Sequence, residues 1–315
     1  MPHPTMAEGV GAVALYTTVY PGAEPYLPAW YASVQAQAER RFDLWIGVDL
    51  LEPGAVERAM GSKVEATWVR GEPGDTPAQI RQRALARIAA RYDAVVLVDS
   101  DDVLHPSRVA GARAALEASD LAACAMQLVD QQGDPLGITF TLPPGTAPDA
   151  VLPRTNVFGL SNVAYRTALL RRCLPIPAEV VLVDWFLATR AWLLGAQLDF
   201  DPAVRMGYRQ HAANTVRVCP PYTARQVARD AGLVRQHVRH VLGAGPEGCV
   251  PARWARLEST AQDVDAFCER VVARPDRLAR YVHQLNALEP APVWWTWVAH
   301  PCWRAPVPSS TEVSS

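Results

Sequence analysis

Ala94-Val95-Val96-Leu97-Val98-Asp99-Ser100-Asp101-Asp102 is the stretch that decides the fold. Five consecutive apolar residues, three of them valine, suit a strand covered on both faces. An amphipathic helix would need polar interruptions at helical spacing. The run then stops in three carboxylates within four residues. Such acids repel one another unless a cation or solvent relieves them. At the carboxyl edge of a buried parallel strand they lie where open α/β sheets collect ligands. Hard oxygen donors of this kind suit Mg²⁺ or Mn²⁺, which need only one or two carboxylates when phosphates complete the shell. The same residues also suit a solvated acidic turn before the helix that starts at Pro106.

Working outward, strand and helix patterns alternate through the first 130 residues. Ala12–Val19 is an apolar β run. Pro25–Gln37 has helical spacing through Leu27, Trp30, Tyr31 and Val34. Leu44–Val48 and Val64–Val69 read as further strands. Thr76 caps a helix with Pro77 in its first turn and Ile80, Ala84 and Ile88 on its apolar stripe. A strand over Ala122–Val129 follows the Pro106 helix. This order predicts a doubly wound parallel sheet. Gly133–Pro153 reads as loops around a short β piece at Ile138–Leu142. Val157–Tyr165 and Val204–Tyr208 are predicted strands, with an amphipathic helix over Val183–Leu194 between them. From Thr223 the pattern is helical: Thr223–Leu242, Pro251–Ala273 and Pro275–Leu288.

The chain has 315 residues, half of them hydrophobic and 20% charged, as expected of a globular protein with a sizeable core. A net charge of -2 removes the basic footprint of a nucleic-acid binder. Lys63 is the single lysine, so arginine supplies nearly all the positive charge. The longest apolar window, Ala178–Ala196, is interrupted by Glu179, Asp184 and Arg190, so no membrane span is expected. No arginine or lysine precedes Arg40, which argues against a secretory leader. Six scattered cysteines show no Cys-x-x-Cys or metal-ligand spacing and read as reduced thiols of a cytoplasmic protein.

Other candidates sit at element ends. Asp49 closes the second strand, where a carboxylate can accept from a nucleobase or ribose, or simply form a turn. Asp184, followed by Trp185, opens the Val183–Leu194 helix. There it is either a general base aimed into the same crevice or an acid favoured by the helix dipole. The dipole would keep it ionised. Arg209-Gln210-His211 follows the last strand and offers phosphate or metal contacts, or a structural histidine.

Together these clusters resemble the family 2 glycosyltransferases, inverting nucleotide-sugar enzymes of the GT-A fold. Val19-Tyr20, Glu24, Tyr26-Leu27, Ser33-Val34 and Gln37 look like the family's first strand and helix. Ile46-Gly47-Val48-Asp49 is similar to its second strand with the nucleobase-contacting Asp. Arg83, 16 residues before Asp99, matches the arginine of an Ala-Arg-Asn helix. Asp99-Ser100-Asp101 matches the Asp-x-Asp motif, Val183-Asp184-Trp185 the Glu-Asp motif, and Tyr208-Arg209-Gln210-His211 with Asn214 a common family ending. The departures are Leu50-Leu51-Glu52 for Asp-Gly-Ser, Thr18 for proline, Pro21 for asparagine, Ala84 for asparagine and Val183 for glutamate.

The resemblance implies an α/β, GT-A-type doubly wound, mostly parallel sheet over residues 10–220. A helical C-terminal extension over 221–303 and a disordered tail over 304–315 complete the expected organisation. It implies a metal-dependent inverting transferase using Mn²⁺ or Mg²⁺ and a nucleotide diphosphate sugar, a UDP-sugar being favoured. Asp101 and Asp99 would hold the metal, with Asp99 nearer the ribose. Tyr20, Asp49 and Arg83 would bind the donor, and Asp184 would be the base. Asn156, Asn162, Trp185 and His211 would face the acceptor or phosphates, the acceptor being a glycan, a lipid-linked or a small molecule. A sugar-phosphate nucleotidyltransferase would need a basic Gly-rich loop, and Gly9–Gly11 is short with no basic residue near it. A non-catalytic scaffold of the same fold has no need of Asp184. Trp294, Trp295, Trp297 and Trp303 suit either a bilayer interface at the inner face of the membrane or packing on the fold.

Overall fold

The computed structural model describes residues 10–211, 214, 218, 220–289 and 301–304. The first half is β1 (Val13–Val19), α1 (Leu27–Gln35), β2 (Asp43–Val48), α2 (Pro53–Met60), β3 (Thr67–Arg70), α3 (Pro77–Ala89) and β4 (Ala94–Leu97). Then follow β5 (Val103–Leu104), α4 (Arg108–Ala115), β6 (Leu121–Val129), β7 (Pro135–Phe140), α5 (Pro148–Val151), β8 (Val163–Arg166), α6 (Thr167–Cys173), α7 (Val183–Leu193) and β9 (Leu198–Arg209). Three helices close the described chain: α8 (Ala224–Gly243), α9 (Pro251–Phe267) and α10 (Pro275–Asn286).

All strands join one sheet in the order β3-β2-β1-β4-β8-β6-β9-β5, with β7 added on β6. β3, β2, β1 and β4 run parallel, with Leu15 opposite both Leu44 and Val96. β8 is antiparallel to β4 and β6, and β9 is parallel to β6 over nine positions. Most of the register is therefore parallel, in an α/β fold. Every residue of β4 is buried, as its unbroken apolar run requires.

The strand order reverses between β1 and β4, the switch point at which open sheets leave a crevice. Val98 N–H still pairs with Tyr16 O at 3.1 Å, and Ser100 Oγ donates to Thr18 O at 3.0 Å. The acidic turn after β4 is thus bolted to the end of β1. Helix α3 begins with a capping box: Thr76 Oγ1 accepts from Gln79 N–H, and Gln79 Oε1 from Thr76 N–H. The same Thr76 hydroxyl donates to Ala178 O at 2.7 Å, and Gln82 Oε1 accepts from Ile176 N–H at 2.8 Å. The segment between α6 and α7 is tied in this way to the start of α3.

Several elements differ from expectation. β9 begins at Leu198, because pairing with β6 carries a part-polar strand that sequence periodicity does not mark. The Val157–Tyr165 strand shortens to β8, since Asn156–Asn162 is a hydrogen-bonded loop. The short helices α2 and α6 were not anticipated. The Pro251–Ala273 helix ends its regular part at Phe267 and continues as a π-turn through Val272. Trp303 packs edge-on against Phe267 at 5.9 Å, and Arg304 pairs with Asp263. Trp294, Trp295 and Trp297 lie outside the described residues, as does the tail beyond Arg304. Among the described residues, no helix is long and apolar enough to cross a membrane.

Thr76→Ala removes the cap and the anchor of Ala178 together. Loss of a Ser/Thr cap costs about 1 kcal/mol and loss of a neutral hydrogen bond about as much again. Urea unfolding of the variant is expected to show a lower midpoint with an unchanged slope, whereas an unaltered midpoint would mean that neither contact matters.

Candidate active site

A cavity of about 680 Å³ opens along the carboxyl ends of β1, β2 and β4 and extends beneath the α7 N-terminus. Thr18, Tyr20, Asp49, Arg81, Asp99, Asp101 and Asp184 line it. The expected acids therefore meet in one space. They arrive from different elements: Asp49 from the end of β2, Asp99 and Asp101 from the turn after β4, Asp184 from the first turn of α7.

Asp101 is held from two sides. Its Oδ2 accepts from Tyr20 Oη at 2.9 Å and lies 2.8 Å from His211 Nε2. The His211 ring stacks on Tyr26 at 4.8 Å, and the Arg209 guanidinium lies 5.1 Å from the same Tyr26 ring. Arg209 Nε also donates to Asp101 O at 2.7 Å. Burial and the adjoining Asp101 carboxylate push the Tyr20 phenol well above its ordinary range, so Tyr20 stays a neutral donor.

Asp102 does not line the cavity. It is buried behind the turn, where Ser161 Oγ donates to its Oδ2 and Arg209 N–H to its Oδ1 at 2.7 Å. Burial, then Asp101 and Asp99, raise its carboxyl well above the usual range. Asp99 N–H donates to Ser161 Oγ at 3.1 Å. The third acid of the cluster thus clamps the turn between β8 and β9, a role the sequence reading did not assign.

Arg83 is a correction. Its guanidinium binds Asp75 at 2.8 Å and Arg70 O at 2.8 Å, away from the cavity. Arg81, two residues earlier, enters the cavity and lies 3.8 Å from Asp99 Oδ1. Residues two apart on a helix point about 200° apart, whereas Arg81 shares a stripe with the buried Ala78, Ala84 and Leu85. Counting residues back from Asp99 selected the wrong face.

Two more candidates are also displaced. Trp185 is buried and stacks on His237 of α8 at 4.7 Å, because side chains one apart diverge on a helix and Asp184 takes the cavity side. Asn162 is fully buried and donates to Cys124 O and Val157 O, shaping the loop that carries Gly159 and Ser161. Asn156 Nδ2 donates to Asp184 Oδ2 at 2.8 Å. A Cβ on Gly159 would lie 3.9 Å from that oxygen, an ordinary contact distance, so this loop runs alongside the carboxylate.

The carboxyls are shifted upward. Asp99 is pushed up to about 7, first by burial and then by Asp101, against Arg81. Asp49 is raised by burial against Arg81. Asp184 is raised by burial, opposed by a Trp185 backbone N–H, Arg81 and Asn156. The helix terminus alone would have kept Asp184 in the ordinary range; desolvation outweighs it.

Among the described residues, no group of three or more His, Cys, Asp or Glu side chains is disposed to hold a metal ion by itself. Asp99 and Asp101 do present hard oxygens to the cavity, and Asp101 has one carboxylate oxygen already fixed. Two crowded, partly desolvated carboxylates fit a divalent cation whose remaining ligands come from phosphate and water.

No protein-family model and no curated protein matches the chain. Solved structures do. TarS of S. aureus superposes with a TM-score of 0.56 at 19% identity over 82% of this chain, which spans 44% of the TarS chain. TarS 1-349 in complex with UDP-GlcNAc gives 0.55 at 15% identity, covering 87% of this chain and 80% of that one. The mannosyltransferase PcManGT of Pyrobaculum calidifontis, in complex with GDP-Man and Mn²⁺, gives 0.52 at 16%, covering 92% and 84%. The chain thus shares the fold of these solved structures, the mostly parallel α/β arrangement that the sequence resemblance implied.

The Asp99 shift fixes a pH dependence. Its folded value, about 7, exceeds the ordinary 3.8, so the folded protein binds the proton more tightly than the unfolded chain. Its contribution is fully present below about 4 and is lost as pH rises through 7. In metal-free buffer, Asp99→Asn is expected to flatten the decline of unfolding free energy between these values. Superimposable pH profiles for the two proteins would refute the shift.

Proposed function

We propose that this protein is a metal-dependent inverting glycosyltransferase of the family 2 kind. It would move a sugar from a nucleoside diphosphate donor, a UDP-sugar by preference, to an acceptor hydroxyl. The observation that carries the reading is the convergence of Asp99, Asp101, Arg81 and Asp184 on one cavity at the β1/β4 switch point. The likeness to structures holding UDP-GlcNAc or GDP-Man with Mn²⁺ supports it.

Asp101 and Asp99 would hold the cation, with Tyr20 and His211 fixing the Asp101 carboxylate. A divalent ion there would supply Lewis-acid neutralisation of charge on the departing diphosphate. Arg81 adds fixed positive charge beside Asp99. Asp49, at the far end of the cavity, accepts hydrogen bonds from the base or ribose. Asp184 takes the proton of the acceptor hydroxyl as its oxygen bonds to the anomeric carbon opposite the leaving group, which inverts configuration. Its raised proton affinity suits that task better than an ordinary surface carboxylate would. Asn156 keeps one Asp184 oxygen oriented.

The deciding experiment is calorimetric titration of UDP with and without Mn²⁺. Wild type should bind more tightly with the metal, and Asp101→Ala should lose that gain while metal-free binding changes little. Equal binding by both proteins in saturating Mn²⁺ would end the metal assignment. Asp49→Ala should weaken UDP under both conditions.

Asp184→Asn keeps size and capping ability but removes basicity. Sugar transfer, followed as UDP released from a UDP-sugar onto an active acceptor, should fall ~10²-fold or more with UDP affinity nearly unchanged. Near-normal transfer would leave Asp184 as a helix-end acid only.

A further inference from the structure

The two ends of the cavity differ in chemistry. Asp49, Arg81, Asp99 and Asp101 occupy the end beneath β1, β2 and β4. Around Asp184 the wall is Met126, Leu160, Val180, Val181 and Leu182, with the carboxylate Glu179 at the exposed rim. Among the described lining residues Arg81 is the only cation, and it sits 3.8 Å from Asp99. Two observations place the apolar group beside Asp184 itself. Leu160 follows Gly159, whose Cβ position is 3.9 Å from Asp184 Oδ2. Leu182 is the residue on which α7 begins.

Val181 is the telling side chain. It is 50% exposed, one of few large apolar residues so exposed among those described, and it is among the residues that line the cavity. Its position is built: Thr76 holds Ala178 O, Gln82 holds Ile176 N–H, and Val180 N–H turns back on Pro177 O at 3.1 Å. Water against such a wall is displaced favourably by apolar ligand surface. An anionic ligand would meet Asp184 and Glu179 there, and Arg81, the one cation among the described lining residues, already offsets Asp99 and Asp184, an arrangement that selects against it.

Resting on the transferase reading, we propose that the acceptor is a neutral hydroxyl compound carrying an apolar group next to the reacting oxygen, and not a phosphorylated or otherwise anionic one. In the transfer, the acceptor oxygen bonds to the anomeric carbon, the bond from that carbon to the diphosphate oxygen breaks, and the hydroxyl proton passes to Asp184. The apolar group lies against Val181, Leu160 and Met126 while this happens.

The test is a binding measurement that needs no turnover. The full chain, without added divalent cation, is titrated by ligand-observed NMR with three probes. These are n-octyl β-D-glucoside below its micellar concentration, methyl β-D-glucoside and n-octyl phosphate. The octyl glucoside should bind at least about tenfold more tightly than the methyl glucoside, in keeping with several buried methylenes. Octyl phosphate should bind more weakly than octyl glucoside. Val181→Ser, at an exposed position that does not endanger folding, should weaken octyl glucoside about fivefold and leave UDP binding unchanged. Equal binding of the two glucosides, octyl phosphate binding as tightly as octyl glucoside, or an unaffected Val181→Ser would each overturn the proposal. Parallel titration of UDP with Mn²⁺ separates the two readings. Lost UDP binding with octyl glucoside binding retained would fault the nucleotide-sugar assignment, and the converse would fault the acceptor class alone.

Discussion

Three carboxylates at the end of one buried strand are the constraint around which the rest of this structure is arranged. Asp99, Asp101 and Asp102 cannot all be ionised, close together and dry without help. Each finds a different partner. Asp101 is held by Tyr20 and His211, Asp99 faces Arg81, and Asp102 retreats into the interior against Ser161 and the Arg209 backbone. Those partners come from the residue after β1, from α3, from the loop before β8, and from the end of β9 and the residues just beyond it. Satisfying one short acidic turn therefore pins four separate parts of the chain, and the cavity is the space left between them.

Much of this was legible beforehand for a definite physical reason. A buried parallel strand must be apolar throughout, so β4 announces itself, and the first polar residue after it must be at the sheet edge. The same logic located Asp49 after β2. Asp184 was legible as the first acid of a helix, although α7 is buried on nearly every face and not amphipathic as its sequence suggested. These are statements about where an element ends, and ends are marked by a change of chemistry along the chain.

What sequence reasoning missed depends on direction around an element. Arg81 and Arg83 are equally plausible by spacing, and only the helix face separates them: Arg81 follows the buried stripe, while Arg83 turns to Asp75. Trp185 is adjacent to Asp184 and for that reason points elsewhere. Asn162 and Asp102 look like site residues and serve as internal braces, because in a crowded turn the buried polar group is the one that satisfies backbone. The 176–182 segment has no periodicity at all; its place over the cavity is set by contacts with α3, nearly a hundred residues away.

Thr76 gives that segment a consequence of its own. One hydroxyl accepts from the first turn of α3 and donates to Ala178, so the helix that presents Arg81 and the strip that presents Val181 share a joint. Free energy is a state function, and ligands on either side of such a joint are linked reciprocally. To whatever extent nucleotide at the Arg81 end orders residues 176–182, an apolar ligand at the Val181 end strengthens nucleotide by the same factor. The two affinities would then be coupled through the joint equally in either order of addition, with no lid required.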